Sequence, residues 1–546
     1  MARSGTSSQA LLAPGSRDSR KAAALSVLAG LLWVGQAAVV AQALGALLAH
    51  EAARPVLSAA VFAGLGALRA VLSHLAEALA QDAADAVIRQ ARLAIVAAEA
   101  QRTDDNPFGG AGAIAALAGE KLELLGPFLT RYGLARARVM VLPLVILVLA
   151  FWQSWAVGVI FLVAGPLIPV FMALIGLAAK EASARQMAEI GTMNDFLVER
   201  LSALVDIRLL GAGEAVKAGF AAQASDLRTR TMAVLRVAFL SSTVLELFAA
   251  IGVAMVAVYV GFSLLGALAF GSWGAALSPK AGIFLLLLAP EFFQPLRDLA
   301  AAWHDKAAAD AVLDEVAAHA ADPGTPLPGA GAQARPLAGP ARVVLSGCQV
   351  PSGKSLPDIV IQPGERVAIT GPSGAGKTSV LRLIAGLRLP ETGEVQVAGQ
   401  VLSAANADAW RARLGWMPQA PHFLNGSLRA NLTLGRAGDL PRALRTAAVA
   451  DVAQALPRGL NTRLGETGGG LSGGEARRMT LARAILASPD LILADEPTAD
   501  LDPVTAALVA DGLLAEAARG ATLIVATHDP ALAARMDRVI DLGAAG

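Results

Sequence analysis

A chain of 546 residues with 55% hydrophobic and only 16% charged side chains, and a mean hydropathy of +0.55, is too apolar for an ordinary soluble enzyme and too long for one core. It reads as an integral membrane protein of two or three domains. A net charge of +1 gives no field to hold a polyanion, which sets nucleic acid aside as a partner.

The first segment carries Arg17, Arg20 and Lys21 ahead of an apolar run from Ala22 to Ala49. That run exceeds the roughly 7 to 15 residues of a signal-peptide core, so residues 1–20 are expected to be a cytoplasmic tail and not a leader. A bilayer core about 30 Å thick needs about 20 helical residues. Six such runs are expected, near 22–49, 54–76, 137–155, 157–179, 236–266 and 279–301, within a membrane domain of residues 21–318. Trp152 and Trp155, in the short turn "WQSWAVG" between the third and fourth runs, suit a membrane interface. The connections from run two to three and from four to five are long, polar and helix-like. They hold most of the basic residues, among them Arg89, Arg92, Arg131 and Arg136 in the first, and Lys180, Arg185, Arg228 and Arg236 in the second. The opposite connections hold little beyond Arg54 and Lys280, so both long segments and both termini are expected on the cytoplasmic side.

"ADPGTPLPGAGAQARPLAGP" (Ala321 to Pro340) is broken by proline and glycine and marks a linker over residues 319–340. In residues 341–546, β-like runs such as "RVAIT" (366–370) and "LILAD" (491–495) alternate with helical stretches, which predicts an α/β fold with a largely parallel sheet. The expected fold class is therefore an all-α six-helix transmembrane domain followed by an α/β P-loop domain. Cys348 is the only cysteine; it excludes an intrachain disulfide and a cysteine metal cage, and is expected to be a small buried residue.

"GPSGAGKT" (Gly371 to Thr378) fits the phosphate-loop pattern between a strand and the helix "SVLRLIAGL". Gly371, Ser373, Gly374, Ala375, Gly376 and Ser379 offer backbone N–H groups and a helix N-terminus to a β-phosphate. Lys377 reaches the β- and γ-phosphates, and Thr378 offers a hydroxyl to Mg²⁺. "LILADEP" delivers Asp495 and Glu496 to a sheet edge, Asp495 suited to Mg²⁺ and Glu496 to polarising the attacking water. In "LSGGEARRMTLARAIL" (Leu471 to Leu486), Ser472, Gly473 and Gly474 open a helix and make a second anion site, one more than a single nucleotide needs on one domain.

With that segment the cassette resembles the ATP-binding cassette family, whose signature is LSGGQ or LSGGE. The rest of the family's set follows: Gln419 in "WMPQ" matches the Q-loop, Asp500 in "ADLD" the D-loop and His528 in "VATHD" the switch histidine. The resemblance implies catalytic roles for Glu496, Gln419 and His528, with Thr378, Gln419 and Asp495 around Mg²⁺. It also implies head-to-tail pairing of two cassettes, so that Ser472, Gly473, Gly474 and Asp500 serve a site shared with a partner. The adenine-stacking aromatic of the family is absent where Gln349 and Val350 align.

Six spans and one cassette resemble an exporter half-transporter, which places coupling segments at "DDNPFGG" (104–110) and "ERLSALVDIRLLGAGE" (199–214). A soluble cassette ATPase with an unrelated anchor fits six spans and such long loops poorly. Charges in the last span, "LAPEFFQPLRDLAAAWHDKA" (288–307), and in "LGALRAVLSHLAEAL" of the second, are costly in lipid and are expected to face protein or a watery cavity. Candidate cargo contacts are Arg69, His74, Glu291, Arg297, Trp303 and His304. A purely structural Arg69–Glu291 pair, and a His304 that merely sits in a cytoplasmic extension, stay open as alternatives. The segment with Trp303 and His304 resembles the D-type subunits of heterodimeric thiol-reductant exporters that support cytochrome bd assembly in the bacterial inner (cytoplasmic) membrane. That resemblance implies a paralogous C-type partner subunit, a small thiol cargo (cysteine or glutathione) sent to the periplasm, and haem as a further cofactor. A lipid or drug exporter and a haem transporter or haem-sensing assembly factor are the alternative functions.

Overall fold

The computed structural model describes residues 11–50, 54–103, 110–168, 170, 204–268, 270–274, 276–322, 324–329, 331, 334–350, 353–465 and 469–543. They form two compact units, Met1–Val96 with Phe108–Asp322, and Ala97–Pro107 with Pro323–Gly546.

The first unit is helical. Its main helices are α1 (Ser16–Leu48), α2 (Pro55–Glu99), α3 (Gly133–Gln153), α4 (Trp155–Ile168), α5 (Gly213–Leu264), α6 (Pro279–Ala301) and α7 (Trp303–Ala321). Among the described residues, the stretches Ala13–Leu48, Pro55–Glu99, Gly112–Gln153 and Thr243–Leu264 are long and apolar enough to cross a membrane. α4 carries the start of the fourth expected run, whose remainder to residue 179 lies outside the described residues apart from Val170. α6 has the bounds expected of the sixth run; it carries Lys280, Glu291, Arg297 and Asp298 and is not among the four apolar stretches. The 45 residues of α2 run about 68 Å at 1.5 Å each, more than twice a bilayer core. The first long polar segment is thus in part a continuation of the span itself.

α6 packs on α1, α3 and α5, and small residues let the backbones close in, as membrane helices require when lipid offers no hydrophobic drive. A Cβ at Gly252 would lie 2.3 Å from Phe293, and one at Gly165 would lie 2.9 Å from Phe292. Phe161 and Phe292 stack at 4.3 Å, with Phe293 edge-on to both. The segment 288–307 is not one helix: α6 ends at Ala301 and α7 begins at Trp303.

The second unit carries two main sheets. Strands β1 (Val343–Gln349), β2 (Ile359–Ile361), β4 (Thr392–Val397) and β5 (Gln400–Val401) form an antiparallel sheet in the order β2-β1-β4-β5. Strands β3 (Arg366–Thr370), β6 (Leu414–Met417), β9 (Leu491–Asp495), β10 (Thr522–Ala526) and β11 (Arg538–Asp541) form a parallel sheet in the order β11-β3-β10-β9-β6. β7 (Gly426–Ser427) and β8 (Arg463–Leu464) make a short ribbon. β9 and β10 are buried throughout, which is why each carries an unbroken apolar run, "LILA" and "LIVA". Helices α8 (Lys377–Ile384), α9 (Gly473–Ile485) and α10 (Pro503–Ala518) flank them. Cys348 is buried, and its Sγ lies 3.3 Å from the Glu394 carbonyl.

Candidate active site

The site is a product of strand order. β3, β10, β9 and β6 are parallel neighbours, so the loops that follow them open at one edge, where α/β sheets bind ligands. Those loops carry the phosphate loop after β3, Asp495 and Glu496 at the end of β9, His528 after β10 and Gln419 after β6. Backbone conformation explains the loop's glycines: Gly371, Gly374 and Gly376 have φ of 144°, 78° and 98°, a region that side chains rarely enter.

Lys377 Nζ donates to the Gly371 carbonyl at 2.9 Å and lies 3.5 Å from Glu496 Oε1. Thr378 Oγ1 donates to Asp495 Oδ2 at 2.8 Å. The other oxygen, Asp495 Oδ1, is buried with no hydrogen-bond partner among the described residues. Burial pushes the Asp495 carboxyl above its usual range, against the pull of the Thr378 hydroxyl. An anionic oxygen left without a donor, next to a threonine hydroxyl, is the environment that a hard divalent cation completes.

Glu496 is buried and has φ 48°, a left-handed conformation that costs about 1 to 3 kcal/mol in a non-glycine residue. Its backbone N–H donates to the Ala526 carbonyl at 2.8 Å, which holds it against that strain. Its Oε2 lies 2.8 Å from His528 Nδ1 and accepts from the His528 backbone N–H at 3.3 Å.

Thr378, Gln419 and Asp495 line one cavity of about 490 Å³ together with Arg382, Trp416 and His422. Arg102 and Thr103 border it as well, because the Thr103 N–H donates to the Thr325 carbonyl and the Leu327 N–H to the Gln101 carbonyl. These residues end just before the expected coupling segment 104–110, of which only Gly110 is described. Of the second expected segment, residues 199–203 lie outside the described residues, and a short helix, Leu204–Leu209, follows with Leu209 and Leu210 exposed.

The signature stands apart from this cavity, whose lining does not include Ser472, Gly473 or Gly474. Ser472 caps α9 through a capping box: its Oγ accepts from the Glu475 N–H at 3.3 Å, and the Ser472 N–H donates to Glu475 Oε2 at 2.7 Å. A Cβ at Gly474 would meet Thr505 at 2.9 Å, whereas one at Gly473 would meet nothing in this chain. Asp500 is exposed, at φ 57°.

Sequence reasoning passes over Arg477. This buried residue of α9 donates to the carbonyls of Gln419, Glu496 (3.4 Å) and Ala499 (3.3 Å), tying together two loops of the site, those after β6 and β9. Burial lowers its pKa from the usual arginine value, and Asp500, Asp495 and Glu496 oppose that shift. The only signal in the sequence is an arginine in the apolar core face of a helix.

In the membrane unit, Arg69 and Glu291 line one cavity with Glu77, Arg138, Gln294 and Asp298. The other candidates lie elsewhere. Arg297 pairs with Glu246 at 2.9 Å, Trp303 sits edge-on to Tyr132 at 6.4 Å with Lys306 over its ring, and His74 and His304 are exposed.

Comparison with known proteins fits this geometry. Residues 357–499 match the ABC transporter family and residues 21–280 the ABC transporter transmembrane region. The transport ATP-binding protein AarD of Providencia stuartii is 36% identical over 521 residues, 92% of this chain and 87% of that protein. The glutathione/L-cysteine transport system ATP-binding/permease protein CydD of Escherichia coli is 36% identical, covering 77% of this chain and 72% of that one. CydC of the same description from Bacillus subtilis is 30% identical over 79% and 75%. In fold, the chain superposes on a bacterial Atm1-family ABC exporter with ATP bound, at a TM-score of 0.76 and 21% identity, covering 96% of this chain and 94% of that one. A helical membrane domain joined to one cassette, with ATP hydrolysis coupled to transport, places this chain in the ABC transporter family.

Proposed function

We propose that the chain is the D-type subunit of a heterodimeric exporter that moves cysteine and glutathione from cytoplasm to periplasm and so supports cytochrome bd assembly. The observation that carries this reading is the 36% identity to E. coli CydD over 429 residues, a length well beyond the cassette. It therefore includes a large part of the membrane domain that meets cargo. The partner is a paralogous C-type subunit, in a bacterial cytoplasmic membrane with both termini on the cytoplasmic side.

In this reading Lys377 and the loop Gly371 to Ser379 hold the phosphates, while Thr378, Asp495 and Gln419 hold Mg²⁺, which neutralises the charge of the transferred phosphoryl group. Glu496 orients the attacking water and His528 steadies Glu496. The open face of Gly473 leaves room for the nucleotide of the partner's cassette to approach α9, with Ser472, Gly474 and Asp500 beside it. Closure of the paired cassettes then passes through segments 104–110 and 199–214 to the spans as a population shift. The haem alternative has less support, since no histidine is among the described residues that line the membrane cavity.

L-Cysteine or glutathione is expected to stimulate ATP hydrolysis by the reconstituted two-subunit complex, while lipids, hydrophobic drugs and haem are not. Stimulation by a drug or haem, with no response to thiols, contradicts the reading. A second expectation concerns the base. Val350 is buried and Gln349 Nε2 donates to the Gly353 carbonyl, so neither offers adenine a stacking face. Because base stacking is worth about 1 to 3 kcal/mol, this subunit's own site is expected to hydrolyse ATP and GTP with similar kcat/KM. A preference for ATP of two orders of magnitude or more is the contrary result.

A further inference from the structure

The membrane cavity bordered by α1, α2, α3 and α6 has a volume of about 140 Å³ and is lined by Arg69, Glu77, Arg138, Glu291, Gln294 and Asp298. Charges inside a membrane domain cost roughly 2.5 to 3.5 kcal/mol each at a helix centre on insertion scales, so a set kept only for assembly is expected to be paired. This set is not. Arg138 lies 3.4 Å from Asp298, which also accepts from Gln294 Nε2 at 2.7 Å, yet Arg138 Nε is a buried donor with no acceptor. Among the described residues neither Arg69 nor Glu291 makes an ion pair. The Arg69 guanidinium instead lies over the Trp33 ring at 5.1 Å, and Trp33 Nε1 is itself a buried donor without an acceptor.

The cavity thus holds guanidinium groups with donors to spare beside a carboxylate that makes no ion pair among the described residues, in a space well below the roughly 300 to 1,000 Å³ of a drug-sized site. We infer that it binds the α-amino-carboxylate of a small zwitterion, with Arg69 and Arg138 taking the carboxylate and Glu291 the ammonium. L-Cysteine presents that group, as does the γ-glutamyl end of glutathione, so one site serves both cargoes by reading the part they share and not the thiol. This inference deepens the proposed function and rests on it.

The test is binding of L-cysteine to the two-subunit complex in nanodiscs, read by calorimetry and by Trp33 fluorescence. Losing a charge-assisted bond here is expected to weaken binding roughly 10- to 100-fold. That loss is expected for N-acetyl-L-cysteine, for L-cysteine methyl ester, and for L-cysteine itself on R69A or E291Q. R69K, which keeps the charge, restores part of the affinity, and L-serine binds about as well as L-cysteine.

Equal binding of the blocked analogues, or unchanged affinity in R69A and E291Q, overturns the inference. Thiol uptake with an unaltered KM in both variants overturns the site while leaving the function standing. Arg69-dependent binding of amino-acid zwitterions by a complex that moves no thiol overturns the function while leaving the site.

Discussion

Glu496→Gln leaves ATP binding intact and lowers hydrolysis by at least about 100-fold, the scale on which removing one preorganised electrostatic contact acts. The substitution is isosteric, so it keeps the left-handed backbone at Glu496 and the N–H bond to the Ala526 carbonyl. The amide oxygen can still accept from the His528 side, where the carboxylate stands 2.8 Å from Nδ1. What disappears is the negative charge that faces Lys377 at 3.5 Å and that, in the proposed role, polarises the water. Removing that charge also spares Lys377 a competitor for phosphate, so nucleotide affinity is expected to hold or rise. Binding of a fluorescent ATP analogue and phosphate release, measured with the partner's own site disabled, separate the two effects. Near-normal turnover removes Glu496 from the role of water-orienting residue.

Arg477→Met destabilises the cassette and lowers turnover together. The methionine fills the space of the stem, but the carbonyls of Gln419, Glu496 and Ala499 lose their shared donor. The Glu496 carbonyl keeps the Ala499 N–H at 3.2 Å, but the Gln419 and Ala499 carbonyls lose their donor, and each buried acceptor left without a partner costs about 1 to 3 kcal/mol, so a fall in Tm is expected. Because those carbonyls belong to the loops that present Gln419, Glu496 and Asp500, kcat is expected to fall further than KM rises. Arg477→Lys keeps one bond of the fork and lands between the two. A role confined to folding moves Tm and leaves the ratio of kcat to that of the folded fraction unchanged. An unaltered Tm and kcat in Arg477→Met contradicts the role altogether.

The contrast between these two residues shows where the sequence is legible. Asp495 and Glu496 end an apolar run and Lys377 follows a glycine loop, so local context alone assigns them to one sheet edge. "RVAIT" and "LILAD" coincide with β3 and β9 for the same reason: the part of a strand buried on both faces, here "VAI" and "LILA", writes itself as an unbroken apolar word. Arg477 has no such mark, because its partners are backbone carbonyls 19 to 58 residues away.

The membrane cavity behaves alike. Glu291 and Arg69 stand out as charges in apolar runs, but Arg138 and Asp298 join them only once the rotation of four helices is known, and helical spacing alone does not fix that rotation. It is the same rotation that turns Arg297 toward Glu246. The break at Ala302 likewise removes Trp303 and His304 from the helix that carries Glu291, and only Pro290 and Pro295 hint that this segment departs from a straight span.

The most direct measurement is uptake of labelled L-cysteine and glutathione by inverted membrane vesicles containing this chain and its paralogous partner, with Lys377→Ala as the control. ATP-dependent accumulation that is lost in the variant is the expected result. Accumulation without ATP, or an ATP-driven flux of some other cargo with none of either thiol, contradicts the account.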